Sequence, residues 1–143
     1  MNTRSKKGKL NQDVNDTGFI PVSKNIIHLV GLNAATIYAE FCNKKRYFQE
    51  RGTLTEDKYF FCSASDLQES TGLSRSQQNK GFSILTEHKL LEKATAKNTR
   101  YFLLFDDENS IKTAIDKGKE IREKLKESNK LKVSDYFNRD ERS

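Results

Sequence analysis

Few side chains in this sequence have the types and spacing that chemistry demands. His28 and His88 are the only histidines, and each is isolated in sequence. Cys42 and Cys62 form neither a CxxC pair nor a zinc spacing, so both read as buried thiols in a reducing compartment. The acidic run Asp106, Asp107, Glu108 has the composition of a magnesium cluster, but it directly precedes a helical pattern, where carboxylates favour the positive end of the helix. No glycine-rich phosphate loop occurs. The residues therefore predict no enzyme, no metal, no cofactor and no small-molecule ligand. What remains is "LSRSQQNKGFSIL", Leu73 to Leu85. Here seven successive polar residues, Ser74 to Lys80, include no acid, in a chain that is 32% charged. Side chains that donate hydrogen bonds and exclude carboxylates suit a surface that meets a polyanion.

The distribution of charge supports the same reading. The net charge is +6. Residues 19–72 and 106–143 each balance to zero, whereas residues 73–105 hold six basic residues (Arg75, Lys80, Lys89, Lys93, Lys97, Arg100) against Glu87 and Glu92. The remaining excess lies in the first 18 residues, with Arg4, Lys6, Lys7 and Lys9. Such asymmetry is the footprint of a polyanion-binding surface, and also of a domain that lysines merely keep soluble. No apolar run approaches bilayer length, and none follows the basic N-terminus. The expectation is a soluble, cytoplasmic protein with no membrane partner.

The elements that must position this run can be read from periodicity and caps. Residues 1–17 read as a disordered basic arm. The chain then begins extended, because Pro21 biases Ile20 away from helix, and Ser23 caps a short helix with Ile26, Ile27 and Val30 inward. A longer helix, N-capped at Asn33, carries Ala34, Ile37, Tyr38, Phe41 and Phe48 on one side and stops at Gly52. Tyr59 to Ser63 is strand-like. Ser63 or Ser65 caps a third helix ending at Gly72, and Ser74 caps a fourth through about Glu87. "LLEKA" and "RYFLLF", joined by a tight polar turn, form a β-hairpin. A final helix from Glu108 to about Lys130 carries a narrow seam of Ile111, Ala114, Ile115, Gly118, Ile121 and Leu125. The fold class is mainly α with a small β-hairpin (α+β).

The stretch from Ser63 to Phe105 resembles the helix-turn-helix plus wing of bacterial winged-helix DNA-binding domains. The matching residues are Leu67, Gly72, Leu73, Ser74, Arg75, Leu85, the Leu90–Leu91 pair and the basic hairpin. The upstream "FIPVSKNIIHLVGLNAATIYAEF" is similar to the opening of such domains in plasmid and phage replication initiators. The resemblance implies a winged helix-turn-helix over 18–105, with an added C-terminal helix and tail over 106–143. It also implies duplex DNA as partner, in replication initiation or transcriptional regulation.

In that arrangement helix 74–87 enters the major groove, with its N-terminal half against bases and phosphates. Arg75 suits guanine, Gln77 and Asn79 suit adenine, Ser76 and Lys80 suit either phosphate or base, and the helix start at Ser74 favours a phosphate. The wing, 92–101, offers Lys93, Lys97, Asn98 and Arg100 to the backbone or minor groove. Gly81 permits close approach of the preceding helix, as is usual at this point of such domains, or else it marks a kink or an early end of the helix. Gln68 and Gln78 stand where apolar residues are usual in this motif. Either they face inward and bond to each other or to the turn backbone, or the helix is rotated and Gln78 faces DNA. The C-terminal seam packs on the first long helix or, as favoured here, pairs two copies into a homodimer that reads two half-sites. The alternative function is a winged helix serving as a protein-interaction module.

Overall fold

The computed structural model describes residues 18–142, without the side chains of 133–135 and 137–142; the basic arm expected over 1–17 lies outside the described residues. Five helices and one small antiparallel sheet follow in the order α1 (Lys24–Val30), α2 (Leu32–Glu50), β1 (Phe60–Phe61), α3 (Ala64–Thr71), α4 (Arg75–Glu87), β2 (Leu91–Ala96), β3 (Thr99–Leu104) and α5 (Glu108–Arg142). The architecture is α+β and mainly helical.

Local chemistry sets most boundaries. Ser23 and Ser63 hold extended backbone, and their hydroxyls accept from the amides of Ile26 and Asp66, starting α1 and α3. Of the two serines proposed for α3, Ser63 is the cap. Asn33 is not the cap of α2. That helix begins one residue earlier, because Gly31 at φ +90° both closes α1, donating to the Ile27 carbonyl, and opens α2 without a side-chain cap. A one-residue junction between two helices needs that backbone freedom. β1 is shorter than the five strand-like residues suggested: two residues pair with β3, Phe60 opposite Phe102 and Phe61 opposite Tyr101. The sheet order is β1-β3-β2.

The core is an aromatic cluster drawn from four elements. Phe41 of α2 meets Phe60 of β1 at 5.1 Å, edge to face, and Phe102 of β3 at 4.7 Å; Phe82 of α4 meets Phe102 at 4.8 Å. Such pairs contribute roughly 0.5–1.5 kcal/mol each beyond the area they bury. Around them α4 crosses α2 closely at Gly81, where an added Cβ would lie 2.5 Å from Ile37 Cδ1. The close partner is thus α2, not α3, the helix that immediately precedes α4.

The C-terminal helix is anchored at its start. Tyr38 donates to the Phe105 carbonyl at 2.7 Å, and burial raises its phenol pKa well above the usual value. Lys45 pairs with Asp106 at 2.6 Å, while Asp107 caps α5 by accepting from the Ser110 amide and hydroxyl. The acidic run is therefore accounted for by an ion pair and a cap. The seam then lies on α1, not on α2 as the packing-back alternative had it. Ala114 is buried, the Gly118 backbone sits so close to Asn25 that a Cβ would overlap its carbonyl, and Arg122 bonds Asn25 Oδ1 at 3.1 Å. Beyond that contact Ile121 and Leu125 are 41% and 49% exposed. At 1.5 Å per residue a helix of 35 residues is about 52 Å long, so most of it reaches past the body.

Gly118→Ala should therefore cost at least about 1–3 kcal/mol in urea unfolding, the usual cost of overpacking. It should also raise hydrogen exchange in α5 more than in α2. Equal exchange in both helices would show that the α1–α5 contact is not what orders α5.

Candidate nucleic-acid interface

The stretch Arg75–Glu87 is helical because Ser74 and Gln77 form a reciprocal capping box. The Gln77 amide donates to Ser74 Oγ at 3.2 Å, and the Ser74 amide donates to Gln77 Oε1 at 2.9 Å. This modifies one expected role: Gln77 is exposed, but its carbonyl oxygen is committed to the cap. A two-bond contact with adenine needs that oxygen as well as the amide nitrogen, so Gln77 is left with its donor alone. Ser74 likewise keeps a hydroxyl proton to give and has its oxygen engaged.

At 100° per residue, Gln78, Gly81, Phe82 and Leu85 fall on one side of α4, and all four are buried. Arg75, Ser76, Asn79, Lys80 and Ser83 occupy the outer side and are exposed. From Ser70 to Thr86 the chain has no carboxylate, and Glu87 comes only at the last turn. The hairpin stands beside this face. Lys97 and Asn98 form its two-residue turn, both at positive φ (50° and 66°), the backbone of a type I′ turn. A left-handed lysine costs about 1–2 kcal/mol that a glycine would not incur. Lys93 is exposed on β2 and holds its ammonium 5.6 Å from the Phe82 ring. It lines a shallow depression with Asn79 and Ser83, so it flanks the helix instead of standing at the tip. On the opposite flank an open groove runs between Arg75 and Asn98.

Arg100 leaves the wing contact set. It is 8% exposed, on the same face of β3 as Phe102 and Leu104. Its Nε donates to the Cys62 carbonyl at 3.1 Å and its Nη2 to Gln78 Oε1 at 3.2 Å, while the Phe82 and Phe102 rings flank it at 5.1 and 5.5 Å. Burial lowers its pKa, and the like charge of Arg75 adds to that. Gln78, fully buried, gives its Nε2 protons to the carbonyls of Ala64 and Leu73, each at 3.0 Å. The inward alternative for Gln78 therefore holds, with the turn backbone and Arg100 as partners. Gln68 is exposed and takes no part. The node lay within reach of the sequence: in "TRYFLL" the arginine is in phase with the inward Phe102 and Leu104.

No ion pair forms on this face among the described residues. Among the described residues the ion pairs are Lys45–Asp106 and Glu120–Lys124, and neither touches α4 or the hairpin. Arg75, Lys80, Lys93 and Lys97 form no ion pair, and Glu87, at the last turn of α4, lines the depression that holds Lys93.

Protein-family models, curated proteins and solved structures gave no match to this chain. The interface thus rests on its own geometry. Burial, with a contribution from Asp106, pushes the Cys42 thiol up to about 11, and burial also raises Cys62. Neither is a ready thiolate near neutrality. Among the described residues no three His, Cys, Asp or Glu side chains gather as a metal site, and no helix is long and apolar enough to cross a membrane.

Two outcomes follow for this region. Gln78→Met should cost about 1–3 kcal/mol, because it strands Arg100 Nη2 and two carbonyls. Combined with Arg100→Met it should cost less than the sum, by about 1–2 kcal/mol in a double-mutant cycle; strict additivity would mean the two groups do not act together. For Cys42, the folded thiol stays protonated above the pH at which the unfolded one ionises, near 9. Its contribution to stability is then complete below pH 9 and is lost as pH rises toward about 11. Cys42→Ala should flatten that alkaline fall in stability, and an unchanged slope would rule the thiol out.

Proposed function

We propose that this chain is a winged-helix protein that binds double-stranded DNA in a sequence-specific way. α4 lies in the major groove and the β2–β3 hairpin rests on the adjacent backbone or minor groove. The element order, with β1 added to the hairpin beside β3, agrees with a winged helix-turn-helix. The observation that carries the reading is the face formed by α4 and the hairpin. Its exposed cations and amides are adjacent, none of the cations is held in an ion pair, and the first three turns of α4 carry no carboxylate. The bases are read by Arg75, Ser76, Asn79 and Lys80. Ser74, the remaining donor of Gln77, Lys93, Lys97 and Asn98 meet phosphates, so they position more than they specify.

The service such a protein performs is replication initiation or transcriptional regulation on a plasmid or phage, as the resemblance implies. Two copies joined through the distal part of α5 belong to the same reading. Ile121 and Leu125 continue the Ala114–Gly118 stripe past the end of α1, and a polar helix this long gains little stability without a partner. A protein-docking module would use the same exposed residues, but it would leave the bare cations of α4 without a purpose.

Fluorescence anisotropy on duplexes recovered from a random library tests this directly. Arg75→Ala should cost about 1–3 kcal/mol of binding and relax preference at one position. Lys97→Ala should weaken all sequences alike and reduce the salt slope by about one. Lys97→Gly should weaken binding similarly while stabilising the fold by about 0.5–1 kcal/mol, the relief of left-handed strain less the entropy of glycine. Duplex affinity that is absent, or indifferent to salt, would overturn the proposal. In sedimentation at micromolar concentration a dimer that Leu125→Glu splits is expected, and a monomer on a single compact site would remove the pairing.

A further inference from the structure

The Arg100 guanidinium is fully accounted for on two of its nitrogens and not on the third. Nη1 is buried without a hydrogen-bond partner, and it is the only side-chain nitrogen or oxygen among the described residues left in that condition. The group as a whole is more than nine-tenths buried, has no carboxylate bonded to it, and feels Arg75 as a second charge of the same sign. A buried cation normally has a counter-charge. Here the protein supplies two neutral oxygens, two aromatic rings and a like charge, and no anion.

The same residue lines the open groove of about 620 Å³ between α3 and the hairpin. Its walls include Ser63, Ala64, Ser65, Arg75 and Asn98, and no carboxylate lines it. Ala64 and Ser65 are the first two residues of α3, an eight-residue helix. Their amides precede the first internal hydrogen bond of the helix and point out of its positive end. The next amide, that of Asp66, is taken by the Ser63 hydroxyl, and the exposed Asp66 carboxylate belongs to the same first turn without lining the groove. The Arg75 side chain has no hydrogen bond or ion pair to any described residue. Residues that carry two free amides, two serine hydroxyls, an asparagine amide and two guanidiniums thus line one concavity that no carboxylate lines.

We propose that this groove is an oxyanion site that takes one phosphate group. The amides of Ala64 and Ser65 donate to its oxygens, Arg100 supplies the counter-charge from beneath, and Arg75 at the rim adds positive charge while its guanidinium stays available to a base. The chemistry is shared by a phosphodiester of a nucleic-acid backbone and by free phosphate. As a backbone site it rests on the duplex-binding reading and adds to it a fixed phosphate on the α3 side of the wing. As a site for a phosphate group it stands without that reading.

The experiment has two arms on the full chain. In the first, inorganic phosphate is titrated into isotope-labelled protein at constant ionic strength held with chloride, and amide and arginine side-chain resonances are followed by NMR. Ala64, Ser65 and the Arg100 Nε–H should move together along one saturating curve. Ser65→Asp places a carboxylate in the groove at a helix position that favours it, so this variant should stay folded, melt no lower and lose the curve. Shifts scattered over surface lysines without saturation, or a curve that survives in Ser65→Asp, would overturn the proposal. In the second arm, backbone phosphates of a bound duplex are replaced one at a time by neutral methylphosphonates. One replacement should weaken the wild-type chain about fivefold or more and do nothing further to Ser65→Asp. A phosphate curve with no such coupled position would assign the groove to free phosphate and reject the backbone as its source. Intact duplex binding with neither curve nor coupled position would remove the groove and leave duplex recognition in place.

Discussion

A single buried contact, Arg100 to Gln78, determines how the functional surface is assembled. The Gln78 side chain fastens α4 to the start of α3 and to the turn before α4, through the carbonyls of Ala64 and Leu73. Arg100 fastens the same glutamine to β3, and through the Cys62 carbonyl to the end of β1. Apolar burial, which supplies most of the stability, is non-directional and would tolerate several angles between helix and hairpin. A chain of oriented hydrogen bonds tolerates far fewer, and each member left unpaired costs about 1–3 kcal/mol. The polar node therefore selects one arrangement, in which the hairpin turn stands beside the N-terminal half of α4. Burying a guanidinium for this purpose carries a desolvation cost of several kcal/mol, offset in part by the flanking Phe82 and Phe102 rings.

The distribution of carboxylates complements that geometry. Asp106 pairs with Lys45, Asp107 caps α5, and Glu92 accepts from the Tyr59 hydroxyl at 2.9 Å. These acids serve the scaffold at positions away from the outer face of α4. What they leave behind is a set of exposed cations without ion pairs, beside two helix starts, those of α3 and α4. Self-repulsion on such a face destabilises the isolated chain slightly, and an arriving polyanion relieves it. In the duplex-binding reading proposed above, affinity, orientation and salt dependence share one electrostatic origin, with base preference added by a handful of donors.

Much of this was legible in the sequence, for definite reasons. Serine caps and the glycine stop at Gly72 act locally, so Ser23, Ser74 and Gly72 could be placed from their neighbours alone. The outward polar run of α4 was visible because helical period and charge exclusion coincide there. Asn33 misled because a good capping residue stood beside Gly31, whose left-handed backbone decided the boundary. Arg100 misled because its charge was given more weight than its phase; strand alternation already placed it with Phe102 and Leu104. The partner of Gly81 was not legible, since a glycine states that something is close and not which helix it is. Nor could the seam of α5 announce that its first half is used by α1, because Asn25 and Gly118 are joined only by the tertiary fold.

The most direct test of the account is hydrogen–deuterium exchange of the full chain with and without a saturating duplex. Protection confined to the first half of α4, the Lys97–Asn98 turn and the start of α3, with α2 unchanged, is the predicted pattern. Protection centred on the distal half of α5, with α4 and the hairpin unaffected, would contradict it.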